Sequence, residues 1–281
     1  MRLNLFAPAK VNLHLRVLGR RADGYHDLAT LMQPLSIGDE LAIDGEAAGL
    51  LFSCNDSQLA KGNLVEKAAR LWFAAAGLEP RASLHLEKKV PVAAGLGGGS
   101  SDAAQALLGL NALHDGLLPP QKLVELALSL GADVPFFLAG ATGYCAGVGE
   151  KVEPWPDFPL LDYVLLNPGF PVSTADIYAE WDLAWTNPSA VNTIYRPPKA
   201  APPLGGLLRN DLELATPKAF PQLEDLRKAL WEAGARGALM SGSGPTVFGV
   251  FADAGAAATA AERLSARDEW WVCSCRGYHG P

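Results

Sequence analysis

The alternation of apolar and polar positions marks out strands at the start of the chain. In residues 3–18, Lys10, Asn12 and His14 alternate with Val11, Leu13 and Leu15, a period of two that predicts a strand with Lys10 and Asn12 on one face. Residues 28–43 and 49–54 read as further strands. The pattern then changes to helical spacing: Leu64, Ala68, Leu71 and Trp72 predict a helix over 63–76, with Gly77 as its stop. Over 82–90, Leu84, Leu86 and Val90 alternate with His85, Glu87 and Lys89, again a strand. Residues 103–114 are apolar nearly all round, which predicts a buried helix. Pro119-Pro120 opens another helix over 121–130, with Leu123, Leu126, Ala127 and Leu130 on one face. Tyr144, Ala146 and Val148 suggest a returning strand, and Gly147-Val148-Gly149 a tight turn.

Pro154-Trp155-Pro156-Asp157-Phe158-Pro159 breaks regular structure and is taken as the boundary between domains at 1–156 and 157–281. Beyond it, 163–166 is a buried strand, and Ser173 or Thr174 caps a short helix reaching about Trp181, with Thr174 and Tyr178 on one face. Residues 185–205 are rich in proline and polar residues and read as a long surface excursion. The last third predicts a helix over 221–233 stopped by Gly234 and a strand at 237–240. The turn Ser241-Gly242-Ser243-Gly244-Pro245-Thr246 follows, then a strand at 247–251, a helix at 254–265 and a strand at 269–275. The fold class is α+β, and this last third suggests an α+β sandwich.

Composition narrows the chemistry. With 49% hydrophobic and 19% charged residues, the 281-residue chain has ample core for one large or two ordinary domains. A formal charge of −7 argues against a general nucleic-acid surface. No run approaches the ~18 apolar residues of a membrane span, and the first nine residues lack a signal-peptide layout, so a cytoplasmic location is expected. Cys54, Cys145, Cys273 and Cys275 show no metal spacing and read as free core residues.

The stretch Pro91-Val-Ala-Ala-Gly-Leu-Gly-Gly-Gly-Ser-Ser-Asp-Ala-Ala104 carries the clearest chemistry. It joins a strand to a buried helix, and Gly95, Gly97, Gly98 and Gly99 put four glycines in five residues. Each glycine costs about 0.5–1 kcal/mol of backbone entropy on ordering, and what it offers is a backbone that can turn successive N–H groups toward one point. At a helix N-terminus those groups and the dipole suit a phosphate. Ser100 and Ser101 can cap that helix or donate hydroxyls. The loop is neither a Walker A loop, since no lysine precedes Ser100, nor a Rossmann fingerprint, since Ser100 stands where the third glycine belongs.

Other candidates lie apart in sequence. Asp23-Gly24 is a turn dipeptide presenting Tyr25 and His26, a stacking ring and a hydrogen-bonding ring. Asp133 stands among alanine, valine and phenylalanine, either a turn or N-cap aspartate or a partly buried carboxylate for proton chemistry with Lys10 as counter-charge. A phosphate cradle, a lysine and a carboxylate together point to phosphoryl transfer, in which a protein mainly positions donor and acceptor and neutralises charge.

Residues 8–13, then 91–104, then 241–244, resemble in order and spacing the three motifs of the GHMP kinases, which phosphorylate small alcohols such as galactose, homoserine and mevalonate. Arg21-Ala22-Asp23-Gly24-Tyr25-His26, Gly95–Ser101 and Leu130-Gly131-Ala132-Asp133-Val134-Pro135 resemble the branch whose substrate is a cytidine diphosphate-linked methylerythritol. The resemblance implies an N-terminal domain like ribosomal protein S5 domain 2, a C-terminal α/β sandwich, ATP and Mg2+ as cofactors, and a monomer or weak homodimer that binds neither nucleic acid nor membrane. It implies Asp133 as catalytic base and Lys10 as its charge partner. Tyr25 and Tyr178 would sandwich the cytosine, His26 would hydrogen-bond it, and Asn12 and Thr174 would contact substrate. Asn63, Lys88, Pro91 and the loop Gly95, Leu96, Gly97, Gly98, Gly99, Ser100 and Ser101 would hold ATP. Ser101 matches a serine that some members use near Mg2+, but no glutamate partner is evident, so the metal ligands stay unknown. Another alcohol kinase of the mevalonate or homoserine type, or a non-catalytic nucleotide binder on this scaffold, remain the alternatives.

Overall fold

The structure is a computed structural model that describes residues 1–184 and 203–280. Packing divides the chain into two compact units. The first comprises Met1–Ala9, Ile37–Val90 and Gly97–Gly140, and the second Lys10–Ser36, Pro91–Leu96 and Ala141–Pro281. Two long strands, β1 (Arg2–Arg20) and β2 (His26–Asp44), contribute to both.

In the first unit, the end of β2 pairs antiparallel with β4 (Ala82–Glu87), and β3 (Leu50–Cys54) pairs parallel with β4 on its other side. Helices α1 (Leu64–Ala76), α2 (Gly98–Leu113), α3 (Pro120–Leu130) and α4 (Val134–Ala139) pack together. Asn63 starts α1 by accepting the Val65 N–H at 2.9 Å, and Gly77 ends it in the left-handed conformation. Trp72 and Phe73, both buried, meet edge to face at 5.2 Å, and Trp72 stacks on His114 at 4.7 Å.

Two boundaries differ from the sequence reading. The glycine-loop helix begins at Gly98, not at 103, because Gly97 takes φ 70° and turns the chain directly into the first helical turn. Gly97 occupies the N-cap, so neither Ser100 nor Ser101 caps α2. Strand β4 stops at Glu87, not 90: the N–H groups of Lys89 and Val90 leave the ladder and donate to Asp39 Oδ1 at 2.6 and 3.0 Å.

In the second unit, β2 pairs with β5 (Gly143–Gly147), β5 with β6 (Lys151–Pro154), and β1 runs parallel with β8 (Arg209–Asn210). A separate antiparallel sheet has the order β11-β7-β10-β9, with β7 at Asp162–Asn167, β9 at Gly237–Met240, β10 at Val247–Phe251 and β11 at Trp271–Arg276. Helices α5 (Thr174–Ala184), α8 (Gln222–Glu232) and α9 (Ala254–Leu264) supply much of its core, in which Ile177, Trp181, Leu226, Leu230 and Leu264 meet Val164, Leu166 and Phe251. Ser173 accepts the Asp176 N–H at 3.3 Å at the head of α5. The single-turn helices α6 (Leu204–Leu207) and α7 (Thr216–Ala219), and β8, have no periodicity long enough to read in sequence. Of the 185–205 excursion, residues 185–202 lie outside the described residues.

Candidate active site

In the second unit the polar face of β1 is buried. Lys10 and Asn12 are each 3% exposed. Lys10 Nζ donates to Asn12 Oδ1 at 2.6 Å and to the Gly95 carbonyl at 3.1 Å, and Asn12 Nδ2 donates to Thr30 Oγ1 at 2.9 Å. Thr30 in turn donates to the His14 carbonyl at 2.7 Å. An ammonium taken from water needs such acceptors around it, and this chain of acceptors fixes where the charge sits.

The same groups anchor the middle of the glycine loop, which opens at Pro91. Lys10 N–H donates to the Leu96 carbonyl at 2.9 Å, Thr246 N–H to that of Ala94 at 3.3 Å, and Ser241 Oγ to that of Gly95 at 2.9 Å. Gly95 sits at φ 76°, and a Cβ there would overlap the Ser241 carbonyl oxygen, so the close approach of loop and turn requires glycine. Ala93, at φ 52°, carries the same left-handed backbone with a side chain, a strain of about 1–2 kcal/mol concentrated in this loop.

In the first unit the loop enters α2. The N–H groups of its first turn, which includes Gly98, Gly99 and Ser100, point out of the helix start without intrahelical acceptors, the arrangement that binds anions. Behind them, Lys88 is clamped between two buried carboxylates: Nζ pairs with Asp39 Oδ2 and lies 2.8 Å from Asp102 Oδ2. Burial lowers the Lys88 pKa, but the charges of Asp102 and Asp39 outweigh it and raise it overall. Asp102 is pushed up to about 7, chiefly by burial, partly offset by Lys88 and reinforced by Asp39. Ser101 Oγ and Asp102 Oδ1 are buried without a hydrogen-bond partner among the described residues. Asn63 Nδ2 donates to the Leu59 carbonyl at 3.2 Å, so its amide ties the start of α1 to the turn before it. Asp133 stands half-buried at the N-cap of α4 and makes no capping hydrogen bond, so a capping role does not account for it.

A second cluster in the second unit is aromatic. The His26 imidazole stacks on Tyr178 at 4.8 Å, meets Trp181 edge-on at 5.8 Å, and its Nε2 lies 2.7 Å from Asp182 Oδ1. Arg20 Nη1 lies 3.5 Å from the other Asp182 oxygen. Tyr25, next to His26, is 63% exposed on a turn closed by the Arg21 N–H to Tyr25 carbonyl bond at 2.7 Å. Thr174 Oγ1 and Ser243 Oγ are 2.8 Å apart, which joins the head of α5 to the second glycine turn.

Two family models match the chain, that of the GHMP kinases N terminal domain over residues 63–141 and that of the GHMP kinases C terminal over 199–269. A 4-diphosphocytidyl-2-C-methyl-D-erythritol kinase of Geobacter metallireducens is 43% identical over 279 residues, covering 98% of each chain. The chain belongs to the GHMP kinase family. A kinase of the same description from Pelotomaculum thermopropionicum is 44% identical over 276 residues, 96% of each chain. The crystal structure of a 4-(cytidine 5'-diphospho)-2C-methyl-D-erythritol kinase superposes with a TM-score of 0.81 at 38% identity, covering 98% of this chain and 99% of that one. Homoserine kinase from Cytophaga hutchinsonii, at 20% identity and a TM-score of 0.69 over 99% of this chain and 95% of its own, shares the fold.

In this GHMP kinase the structure gathers Lys10, Asn12, Gly95 and Leu96 in one place, His26 with Tyr178 in another, and Lys88 with the start of α2 in the first unit. Asp133 belongs to the first unit and Lys10 to the second. Sequence reasoning missed Asp39, Asp102, Asp182 and Asn210. Asp102 falls one residue before the helix read over 103–114, and only the helix start at Gly98 places its charge on a buried helix. Asp39 and Asp182 carry no local signal, because their partners are far away in sequence; Asn210 has one local partner, the Leu212 N–H, but the carbonyls it holds are those of Met240 and Gly242.

Proposed function

We propose that this GHMP kinase transfers the γ-phosphoryl group of ATP to the 2-hydroxyl of 4-diphosphocytidyl-2-C-methyl-D-erythritol, in the cytoplasm, as a step of non-mevalonate isoprenoid synthesis. One observation of the structure carries the substrate reading: a GHMP kinase here stacks a buried His26 on a half-buried Tyr178, with the exposed Tyr25 next to His26 in the chain. A cytosine has a π-face and hydrogen-bonding edges to meet such rings, whereas mevalonate and homoserine have no aromatic face to stack. The relatives at 43–44% identity support the same substrate.

In the proposed reaction the N–H groups at the start of α2 hold the phosphates of ATP. The Asp133 carboxylate accepts the proton of the 2-hydroxyl, whose oxygen bonds to the γ-phosphorus as the bond to the β–γ bridging oxygen breaks and ADP leaves. Lys10 offsets the charge that develops, an electrostatic contribution made by groups already in place. Thr174 and Asn12 orient the acceptor. Lys88, held by two acids, shapes the loop from behind. Among the described residues no three His, Cys, Asp or Glu side chains gather to hold a metal. Mg2+ brought with ATP would supply charge neutralisation on the phosphates. No helix among the described residues is long and apolar enough to cross a membrane.

The test is ADP release by the purified protein with ATP and Mg2+, offered this substrate, mevalonate, homoserine and galactose in parallel. Turnover with the cytidine compound alone is expected. Turnover with another alcohol overturns the cytosine site, and turnover with none favours a nucleotide-binding protein.

A further inference from the structure

Asn210 touches none of the residues assigned to substrate or ATP, yet it makes three hydrogen bonds while 6% exposed. It lies on the two-residue strand β8, opposite Leu15 of β1. Its Nδ2 donates to the carbonyls of Met240 at 2.9 Å and Gly242 at 2.7 Å, and its Oδ1 accepts the Leu212 N–H at 2.9 Å. Both amide hydrogens are used. The two carbonyls it grips belong to the 240–241 and 242–243 peptide units, so the side chain brackets the Ser241–Gly242 unit between them.

What those peptide units touch is the candidate catalytic group. Ser241 Oγ donates to the Gly95 carbonyl at 2.9 Å and lies 3.4 Å from the Asn12 N–H that points to it. Gly242, at φ 57°, packs so close that a Cβ there would lie 3.4 Å from Lys10 Nζ, from Asn12 Oδ1 and from the Gly95 carbonyl. The turn therefore forms one wall of the cavity that holds the Lys10 ammonium, and the Gly95 carbonyl is shared between that ammonium and the turn.

We propose that Asn210 is a positioning residue for phosphoryl transfer: by gripping the carbonyls of Met240 and Gly242 it holds the Ser241–Gly242 turn against Lys10, Asn12 and Gly95. The proposal rests on the catalytic role given to Lys10 above and adds a residue outside the three sequence motifs. Its physical basis is that a catalytic group displaced by about 1 Å can lose on the order of 100-fold in rate without losing its ligand.

The test uses Asn210→Asp, which is nearly isosteric and keeps the acceptor for the Leu212 N–H but turns an oxygen toward both carbonyls. The expected result is a kcat lowered about 10- to 100-fold with KM for ATP and for the alcohol within about threefold of wild type. Asn210→Ser keeps an N-cap acceptor and lacks the reach to the carbonyls; it replaces the Asp variant if that one fails to fold, as judged by circular dichroism and Tm, and should show the same split. The decisive readout is the double variant with Lys10→Ala, followed by transfer of radiolabelled phosphate. If Asn210 acts through Lys10, adding Asn210→Asp to Lys10→Ala leaves kcat unchanged. Losses that multiply, or a rise in both KM values with kcat kept, overturn the proposal. Full turnover of Lys10→Ala alone overturns the role of Lys10 itself, which separates that failure from this one.

Discussion

Replacing Asp102 by asparagine should stabilise this enzyme at alkaline pH and leave it nearly unchanged in acid. The reason lies in the buried cluster of Lys88, Asp39 and Asp102, in which two carboxylates share one ammonium. Burial, with Asp39 adding to it and Lys88 opposing it, holds Asp102 at about 7 against an ordinary 3.8. The folded-state pKa is raised, so the folded chain keeps a proton that the unfolded chain has released. The stabilisation from that proton is fully present below about pH 4 and is lost as pH rises through 7. A rise from 3.8 to about 7 is some three units, and at 1.36 kcal/mol each amounts to ~4 kcal/mol. Coupling to Lys88 and Asp39 spreads this over the cluster and leaves ~2–4 kcal/mol to Asp102. Asparagine keeps an oxygen for Lys88 Nζ and has no charge to desolvate. At roughly 2–4 °C per kcal/mol, the variant should melt about 4–16 °C above wild type at pH 8, with the gap narrowing by more than half toward pH 5. Thermal unfolding by circular dichroism from pH 5 to 8.5 reads this directly, and groups common to both proteins cancel in the difference. A gap that stays constant with pH, or a variant that is the less stable at pH 8, refutes the reasoning.

Three further outcomes follow from the site. Asp133→Asn should abolish turnover and leave ATP affinity, measured by calorimetry, within a few-fold; retained turnover removes Asp133 from the chemistry. Tyr25→Ala should raise KM for the cytidine substrate about 2- to 12-fold, the equivalent of ~0.5–1.5 kcal/mol of stacking, and Asp182→Ala should act in the same direction by releasing His26 from its place against Tyr178. For either variant, steady-state kinetics with an unchanged KM counts against the aromatic platform. Gly95→Ala should cut both Tm and ATP binding, since its Cβ meets the Ser241 carbonyl; wild-type behaviour in a thermal-shift titration with ATP would show that the loop is not held as described.

Much of the scaffold was legible because period and punctuation agreed. Leu64, Ala68, Leu71 and Trp72 announced α1, with Asn63 and Gly77 closing its ends, and the bounds of β9 and β10 coincide with the reading. The glycine loop was legible as the link from a strand to a helix, but its helix start was not. A glycine-rich stretch looks like loop in one dimension, and only the left-handed turn at Gly97 shows that Gly98 and Gly99 are already helical. Of the site, alternation placed Lys10 and Asn12 on one face, and their roles came only from the resemblance. Their burial was not found, because it comes from the Gly95 carbonyl and from Thr30. Lys88 was read as a residue near the nucleotide. Its ammonium proves to be held by Asp39 and Asp102, acids whose side chains reach it only in three dimensions.

That pairing has a consequence for labelling chemistry. Acylating reagents, including nucleotide acyl phosphates that mark lysines lining ATP pockets, need an unprotonated amine with room for an electrophile to approach. Lys88 offers neither: its pKa is raised, and only 9% of its side chain is exposed. Although it lies next to the phosphate loop in sequence, it should stay unmodified under conditions that label its neighbour Lys89, which is 49% exposed. A survey of this enzyme by lysine-directed probes would therefore pass over the ammonium shared by Asp39 and Asp102.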